Sequence, residues 1–341
     1  MMQTGILLVN LGTPASASFS DVKRYLLEFL TDGRVIDLPW PLRQLVVRGQ
    51  IVPRRIKEST KNYKRIWREN GSPLLYWGER VKELLQEALG DKCLVELAMR
   101  YQNPSIKQGL EKLKHCQKLV ILPLFPQYAS ATTGSVHQKV MKEVKNWVVI
   151  PPIEFIQSYP AQQKMIDAFV MRTKEFAYED YEHILMSFHG LPERQIKKAD
   201  TFGCCLKSGC CAALSAKNQF CYAAQCHETA RKIAAGLGLY QEQYSVVFQS
   251  RLGKDPWIKP YIQDKVEELA KEGIGKLLVL SPAFVCDCLE TIDEIGRELK
   301  ASFGKDKTLD LVPGLNDHPL WIEALKDLCE NSSLPQSLIQ Q

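Results

Sequence analysis

The sequence lacks the features that mark several classes of protein. Its 341 residues contain no apolar run approaching the ~18 residues of a membrane-spanning helix, and its first residues, MMQTGILLVNLG, carry no positively charged leader. The net charge is only +5, without a basic tail, which argues against a dedicated nucleic-acid binder. G-x-G-x-x-G, Walker lysine and G-x-S-x-G motifs are missing, so nucleotide-binding and serine-hydrolase functions lack their fingerprints. With 45% hydrophobic and 24% charged residues, the chain is expected to be a globular, cytoplasmic protein.

Cysteine, by contrast, is abundant: the chain has eleven, and six of them lie within 23 residues. In a chain without an export signal the thiols are expected to stay reduced, so this cluster indicates a metal site rather than disulfides. The spacing C-C-x4-C-C-x9-C-x4-C differs from the C-x2-C pairs of zinc ribbons and shares an x4 step with plant-type [2Fe–2S] proteins. Zinc and an iron–sulfur cluster both remain open for the six, which are Cys204, Cys205, Cys210, Cys211, Cys221 and Cys226.

Short apolar, β-branched runs alternate with amphipathic stretches along the chain. Continuous apolar strands between helices are typical of parallel sheets covered on both faces, so we predict a doubly wound α/β fold. The predicted strands are Gly5–Val9, Leu94–Ala98, Leu119–Leu122, Val148–Ile150, His183–Ser187, Ser245–Phe248, Lys276–Leu280 and Leu309–Val312. The predicted helices include Asp21–Leu30, Val81–Leu89, Ala161–Phe176, Glu228–Ala235, Ile262–Lys271, Leu289–Leu299 and a last helix at Leu320–Cys329.

Three segments of the first half recur, in the same order, in the second half. We therefore predict two similar α/β halves, residues 1–165 and 166–330, followed by a polar tail at 331–341. Segment 38–57 would form an apolar lip on the first half, and segment 203–226 a cysteine-rich insert in the second. The matched pairs are Gly5–Pro14 with His183–Pro192, Cys93–Arg100 with Tyr244–Arg251, and Lys118–Phe125 with Lys276–Phe284.

Two turns at predicted strand ends, where ligands of such folds gather, carry residues that suit catalysis. His189 follows a buried strand and precedes a glycine, where it would act as a base near neutral pH or as a metal ligand. Glu290 opens a helix after a later strand, with Asp287 just before it. Each has a structural alternative: a turn histidine, a carboxylate that stabilises a helix N-terminus, and an N-cap aspartate. If the two turns converge, histidine and carboxylate would suit a divalent ion or a pair of proton acceptors.

The segment from 38 to 57 mixes bulky apolar residues with five basic ones. It would form either a hydrophobic lip over a pocket whose rim binds carboxylates, or a weak contact with a membrane surface. An ordinary helix with a solvated basic face explains the composition equally well. The basic residues are Arg43, Arg48, Arg54, Arg55 and Lys57.

Six groups of motifs follow one another along nearly the whole chain. They are Val9–Pro14, Met99–Tyr101, Leu122–Tyr128 with Thr132–Ser135, Ser187–Pro192, Phe248–Arg251 with Pro256–Trp257, and Asp287–Thr291. Taken together, these motifs resemble those of the ferrochelatases, which insert ferrous iron into a porphyrin to form haem. The family fold, two Rossmann-like halves that flank a porphyrin cleft, agrees with the internal repeat.

The resemblance implies roles for individual residues. His189 matches the essential histidine of the family and Glu290 its partner glutamate, both acting on the substrate iron. Segment 38–53 matches the family's lip, which leaves a peripheral contact with the inner face of a membrane open. The positions that match porphyrin-binding residues are Leu11, Arg54, Arg55, Tyr63, Ser72, Arg100, Tyr101, Tyr128, Trp257 and Phe284.

Two residues depart from the family pattern and bear on the expected substrate and metal ligands. Ala15 stands where the branch that uses coproporphyrin has a tyrosine, so we expect protoporphyrin IX as the substrate, with coproporphyrin III as the alternative. Cys288 replaces a second histidine found in some members. Because some ferrochelatases carry a [2Fe–2S] cluster in an internal segment, four of the six clustered cysteines are expected to bind one. A non-enzymatic haem or metal carrier and an iron–sulfur sensor are further alternatives, and the sequence leaves the oligomeric state open.

Overall fold

The computed structural model describes residues 3–251, 253, 255–304 and 306–330. Within that part the chain forms two compact units. Unit 1 contains the chain up to Phe125, the segment Ala129–Ser158 and the last helix from Leu325 onward, whereas unit 2 contains Pro126–Tyr128 and Tyr159–Ala324. The predicted domain ranges 1–165 and 166–330 stay a prediction, and the predicted tail at 331–341 lies outside the described residues.

The strands and helices alternate as predicted. In the described part of the chain the strands are β1 (Thr4–Gly12), β2 (Cys93–Tyr101), β3 (Lys118–Pro123), β4 (Ile153–Phe155), β5 (His183–His189), β6 (Tyr244–Gln249), β7 (Lys276–Leu280) and β8 (Thr308–Leu311). The α-helices are α1 (Phe19–Leu30), α2 (Trp40–Val46), α3 (Val52–Ile66), α4 (Pro73–Leu89), α5 (Ile106–Leu113), α6 (Ser135–Val144), α7 (Gln163–Lys174), α8 (Glu193–Ala199), α9 (Tyr222–Leu237), α10 (Ile262–Lys271), α11 (Lys300–Phe303) and α12 (Pro319–Glu330). Segments with π-helical hydrogen bonding are Val47–Ile51, Ser130–Gly134 and Glu290–Leu299.

Each unit is built on one parallel four-stranded sheet. The strand order is β2-β1-β3-β4 in unit 1 and β6-β5-β7-β8 in unit 2. The two orders correspond strand by strand, with β1 equivalent to β5, β2 to β6 and β3 to β7, which are the pairs that the internal repeat links. The predicted α/β fold with two similar halves is confirmed.

The central strand of each unit is apolar because helices cover both faces of its sheet. Ile6–Val9 of β1 are completely buried, and Leu7 and Val9 pack against α5 and α6. In unit 2, Leu185 of β5 packs in the same way against α10 and the Glu290–Leu299 helix. This burial anchors both central strands, so the turns at their carboxyl ends start from fixed positions.

One predicted strand is wrong. Val148–Ile150 form an exposed loop, with Val148 fully exposed, and the strand lies later, at Ile153–Phe155. The β-branched composition of the loop favoured the prediction. Regular pairing with β3 begins only after Pro151 and Pro152, because neither proline has an N–H to donate.

Two helical segments have features that their sequence pattern does not indicate. The helix predicted at Leu289–Leu299 has a π-helical backbone, a rare form that concentrates at functional sites. In the 38–57 segment, Trp40, Leu42 and Leu45 lie on the exposed surface of α2. Among the described residues no helix is both long and apolar enough to cross a membrane.

Candidate active site

Strand β5 ends at His189, and a tight turn follows it. The N–H of Gly190 donates to the carbonyl oxygen of Gln249 at 2.8 Å. A Cβ atom at Gly190 would lie 2.8 Å from that same oxygen and 3.1 Å from the Trp257 ring, so only glycine fits here without a shift of the backbone. The contact with the end of β6 therefore fixes the backbone position of His189.

The hydrogen bonds of His189 define its tautomer. Nδ1 lies 2.6 Å from the carbonyl oxygen of Gly190, and because a carbonyl oxygen only accepts, Nδ1 carries the proton and Nε2 keeps a lone pair. The ring centroids of Trp257 and Phe284 lie 6.3 and 6.4 Å from that of the imidazole. The hydroxyl of Tyr222 donates to the backbone oxygen of His189 at 2.8 Å. The imidazole thus sits among aromatic rings with its lone pair on Nε2.

The charge state of His189 follows from its surroundings. Burial lowers the pKa of His189, and the negative charge of Glu290 opposes that shift. The imidazole is therefore neutral at pH 7 and able to accept a proton. Glu290 is the first residue of the π-helix, and the side-chain amide of Gln249 donates to its backbone oxygen at 3.4 Å. The structure thus brings a neutral histidine and a carboxylate together in unit 2.

Asp287, the second acidic residue of this turn, has a different role. Its carboxylate is buried and accepts hydrogen bonds from the side chain of Asn316 at 2.8 Å, the hydroxyl of Thr291 at 3.0 Å and the N–H of Gly314 at 3.1 Å. These donors occupy its oxygen atoms, so Asp287 shapes the turn that presents Glu290. Burial and the nearby charge of Glu290 raise the pKa of the Cys288 thiol.

In unit 1, a buried polar cluster lies at the carboxyl end of the sheet. Asp32 accepts hydrogen bonds from Arg100 Nη2 at 2.5 Å, from the Ser135 hydroxyl at 2.5 Å and from the Tyr101 hydroxyl at 3.0 Å. Arg100 also donates from Nε to the Ser135 hydroxyl at 2.6 Å. Arg100 and Tyr101, both predicted to bind porphyrin, are thus held by Asp32, and Tyr101 is completely buried.

Asp32, the residue at the centre of this cluster, was not predicted from the sequence. Burial by itself would raise its pKa, but hydrogen bonds from Ser135 and from the N–H of Arg34, with the charge of Arg100, hold the pKa of Asp32 below its usual value. Burial raises the pKa of the Tyr101 hydroxyl, so that group stays protonated. In the sequence, an aspartate that follows a helix and precedes a glycine looks like any turn residue. Only the fold brings Arg100 beside it.

The other predicted porphyrin positions differ in exposure. Arg54 and Arg55 are exposed on α3. Leu11, close to the carboxyl end of β1, is partly exposed. Tyr63 is buried against Tyr25 and Trp67. Two further positions are tied by hydrogen bonds inside their own units: the hydroxyl of Thr13 donates to that of Ser72 at 2.8 Å, and the Tyr128 N–H donates to the Gln225 side chain at 2.6 Å.

Between α8 and α9 the chain forms an irregular segment, residues 200–221, which we call the cysteine loop. The Asn218 side chain donates to the carbonyl oxygens of Cys210 and Ala213 at 2.7 and 2.8 Å. Arg231 of α9 donates to the carbonyl oxygen of Cys211 at 2.7 Å. The loop is therefore held in one shape by protein groups. Two of its thiols lie together, with Cys210 Sγ 3.6 Å from Cys211 Sγ, whereas the Cys204 thiol lies 3.6 Å from the carbonyl oxygen of Lys217.

The donor set of this loop fits a thiolate-bound metal group. Cys221 is the N-cap of α9, and its thiol makes no capping hydrogen bond to the N–H groups of the first helical turn. The influence of the Cys211 thiol, with smaller ones from the backbone at the start of α9 and from the Cys205 thiol, outweighs burial and lowers the pKa of Cys221 to about 6. A lowered pKa favours the thiolate of Cys221, which is the form that binds metals.

The comparison with known proteins agrees with the resemblance seen in the sequence. The ferrochelatase family profile matches residues 3–333. The chain belongs to the ferrochelatase family. It is 44% identical over 329 residues to the ferrochelatase of Legionella pneumophila strain Philadelphia 1, which covers 96% of this chain and 98% of that one. It is 43% identical over 344 residues to the ferrochelatase of Ectopseudomonas mendocina strain ymp, with 99% and 100% covered.

Among solved structures the fold is shared with chelatases. SirB from Bacillus subtilis with Fe3+ aligns with a TM-score of 0.55 at 12% identity, and the match covers 97% of this ferrochelatase chain and 96% of SirB. At that identity the likeness concerns the fold alone. Membership of the ferrochelatase family implies a porphyrin and ferrous iron as substrates and a place in haem biosynthesis.

Proposed function

We propose that the chain inserts ferrous iron into protoporphyrin IX, which forms protohaem and releases two protons. The observation that carries this proposal is the His189 site: a neutral imidazole with its lone pair on Nε2, beside the Glu290 carboxylate, near the rings of Trp257 and Phe284. Each of these groups meets one requirement of the reaction.

The first requirement is a proton acceptor, because the two pyrrole N–H groups must lose their protons before the nitrogens bind iron. His189 accepts at Nε2, since Nδ1 already carries a proton that it donates to the Gly190 carbonyl. Its lowered pKa keeps the ring neutral at working pH. The negative charge of Glu290 stabilises the imidazolium once it forms.

The second requirement is a path for the substrate iron that does not trap it. Imidazole and carboxylate are ligands of intermediate and hard character, which bind ferrous iron without the tight hold of thiolates. Glu290 offers carboxylate oxygens to the incoming ion. His189 cannot hold iron and accept a proton through the same lone pair, so its two roles alternate during turnover.

The third requirement is a wall that bends the macrocycle so that its nitrogen lone pairs point out of plane. Trp257 and Phe284 supply rigid aromatic surface beside the histidine. The exposed guanidinium groups of Arg54 and Arg55 suit the two propionates of protoporphyrin IX. Ala15, small and exposed where the coproporphyrin branch has a tyrosine, supports protoporphyrin as the substrate.

Two further features complete the proposal. The exposed side chains of Trp40, Leu42 and Leu45, next to Arg43 and Arg48, support a peripheral contact with the inner face of a membrane from the cytoplasm. Four of the six clustered cysteines would hold a [2Fe–2S] cluster, which supplies a one-electron couple when bound. The protein's own contribution there is the hydrogen-bonded cysteine loop, in which the Cys210 and Cys211 thiols lie 3.6 Å apart.

The test is an anaerobic assay of the purified protein with ferrous iron and, separately, protoporphyrin IX or coproporphyrin III. Multiple turnovers with protoporphyrin IX, faster than with coproporphyrin III, are the expected result. A preference for coproporphyrin III would contradict the substrate assignment. A carrier would bind one equivalent and stop, which would contradict catalysis. The variant Ala15→Tyr, which restores the side chain of the other branch, should move the preference toward coproporphyrin III.

A further inference from the structure

Gln249, the last residue of β6, contacts both turns of the proposed site. Its backbone oxygen accepts the N–H of Gly190 at 2.8 Å, and its side-chain Nε2 donates to the backbone oxygen of Glu290 at 3.4 Å. In the register of the two strands it pairs with His189. One residue therefore joins the turn that carries the histidine to the π-helix Glu290–Leu299, which carries the carboxylate.

A residue of β5 fixes the orientation of the Gln249 amide. The hydroxyl of Ser187 donates to Gln249 Oε1 at 2.6 Å, and both side chains are buried, Ser187 completely. Because a backbone carbonyl oxygen only accepts, the amide atom that faces the oxygen of Glu290 is the nitrogen. Rotating the amide by half a turn would place Oε1 against that oxygen, which is another acceptor. Both bonds therefore form in a single orientation of the side chain.

Burial gives these bonds their weight. The contact with Glu290 is longer than the ~2.9 Å typical of an N–H···O bond, but Gln249 is only 2% exposed, so water does not replace a bond that is lost there. The next residue, Ser250, donates from its hydroxyl to the Glu294 carboxylate at 2.6 Å. The end of β6 thus contacts the π-helix at two positions that lie four residues apart.

A buried glutamine can also serve the fold alone, and Gln86 of unit 1 is an example. Its amide donates to the carbonyl oxygens of Gly90 and Cys93 at 3.1 and 3.0 Å. It also accepts the N–H of Val95 at 2.9 Å, so it joins α4 to β2. None of these three partners belongs to the proposed site. The bonds of Gln249 are of the same kind, but they end at Glu290.

We propose that Gln249 is a positioning residue for iron insertion: its side chain holds the start of the π-helix, and with it Glu290, at a fixed place relative to the His189 turn. This inference rests on the proposed function, because it assigns Gln249 to the site of that reaction. The amide of Gln249 is engaged by Ser187 and by the helix, so it acts on the reaction through Glu290.

The test is a double-mutant cycle in the full chain, with Gln249→Met and Glu290→Gln made singly and together. Methionine keeps the length of the side chain but has no N–H to donate to the helix. Gln249→Met should lower kcat about tenfold and leave KM for protoporphyrin IX within about twofold. In the Glu290→Gln background the same substitution should have almost no further effect, since residues that act as a unit are not additive.

The matched control is Gln86→Met, which removes a comparable amide from unit 1. It should lower the thermal stability and leave kcat unchanged. Amide hydrogen exchange adds a readout that needs no activity: the first turns of the Glu290–Leu299 helix should exchange faster in Gln249→Met than in wild-type protein, and at the wild-type rate in Gln86→Met.

Three results would overturn the inference: additive losses of kcat in the cycle, unchanged exchange in Gln249→Met, or an equal fall of kcat in Gln86→Met. If Gln249→Met fails to fold, Ser187→Ala frees the amide from β5 and enters the same cycle with Glu290→Gln. A wild-type chain that metallates neither porphyrin would contradict the proposed function instead, and the exchange measurement would still decide whether Gln249 holds the helix.

Discussion

At the end of β1 in unit 1 and of β5 in unit 2, a glycine packs against the last residue of the neighbouring strand. A Cβ at Gly12 would lie 2.2 Å from the carbonyl oxygen of Tyr101, and a Cβ at Gly190 would lie 2.8 Å from that of Gln249. Both glycines occupy the same position of the internal repeat, and both sheets have the same strand order. The two units therefore present equivalent turns on equivalent strands.

The polar groups at the carboxyl ends of the two sheets, however, differ in their hydrogen bonding. In unit 1 the ionised group, Asp32, is fully engaged by Arg100, Tyr101 and Ser135. In unit 2, His189 uses only Nδ1 for an internal hydrogen bond. A satisfied polar cluster rigidifies a fold, whereas a group with a lone pair and a shifted pKa is available for chemistry. The comparison favours a structural role for the unit 1 cluster and supports the proposed reaction at the unit 2 site.

The largest effect is expected at His189. His189→Ala removes the proton acceptor, so kcat should fall by about 10²–10⁴-fold while porphyrin binding is retained. Steady-state kinetics and porphyrin fluorescence titration measure the two quantities. The control is His183→Gln at the other end of β5, where the glutamine amide replaces the contact of His183 Nε2 with the Ser245 hydroxyl at 2.9 Å. Full turnover by His189→Ala would contradict the role of His189 as the proton acceptor.

The next effect is on stability, at Asp32. Asp32→Ala leaves the half-buried Arg100 without its partner, and the free energy of unfolding should fall by about 3–5 kcal/mol. Because the folded-state pKa of Asp32 is lowered, its contribution is present above pH ~4 and is lost as the pH falls through the folded-state value. Urea unfolding at pH 7 and pH 3 measures both.

The exposed Asp91→Ala serves as the control for this experiment. If Asp32→Ala abolished turnover without any loss of stability, the proposed difference in role between the two units would be wrong. That outcome would place Asp32 in the reaction rather than in the scaffold.

The two glycines give a matched pair of smaller effects. Gly12→Ala and Gly190→Ala should each cost about 1–3 kcal/mol of stability through overpacking, with Gly12 the costlier because its φ of +127° strains any side chain. Gly190→Ala should also lower kcat, because the turn that holds His189 must move. Thermal melting and kinetics separate the two effects. Equal losses of kcat in both variants would argue against a structural role for the unit 1 turn and a catalytic role for the unit 2 turn.

A weaker effect is expected at Tyr222, a positioning residue. Tyr222→Phe removes the hydrogen bond to the His189 carbonyl, worth about 0.5–1.5 kcal/mol, so kcat should fall by up to about tenfold with KM unchanged. Tyr178→Phe removes a hydroxyl bond of the same length to the carbonyl of Leu237, at the far end of α9, and should leave kcat unaltered. A change in KM alone would contradict the positioning role.

The smallest change is in pH dependence near neutrality. Since burial lowers the pKa of His189, kcat/KM should be flat above pH ~6.5 and should fall as the pH drops through that lowered value. Glu290 opposes the shift, so in Glu290→Gln the fall should move to still lower pH. A pH profile of both proteins measures this. Movement toward higher pH in Glu290→Gln would contradict the pairing of the two residues.

The sequence predicts the parts of this molecule that depend on local pattern. Apolar runs such as Lys276–Leu280 are strands because they are buried on both faces, and their signal is contained in consecutive residues. The run at Val148–Ile150 has the same signal and fails, because two prolines delay pairing with β3. The importance of Asp32 was not predictable, since its partner Arg100 lies 68 residues away.

The sequence by itself determined the α/β repeat, the family, and His189 and Glu290 as candidates, because apolar periodicity and motif order are properties of neighbouring residues. Only the tertiary structure decided which nitrogen of His189 carries the proton, and that Asp287 serves the turn while Glu290 faces the histidine. These choices depend on hydrogen bonds and burial that exist only after the chain has folded, whether the partners are adjacent, as His189 and Gly190 are, or 29 residues apart, as Asp287 and Asn316 are.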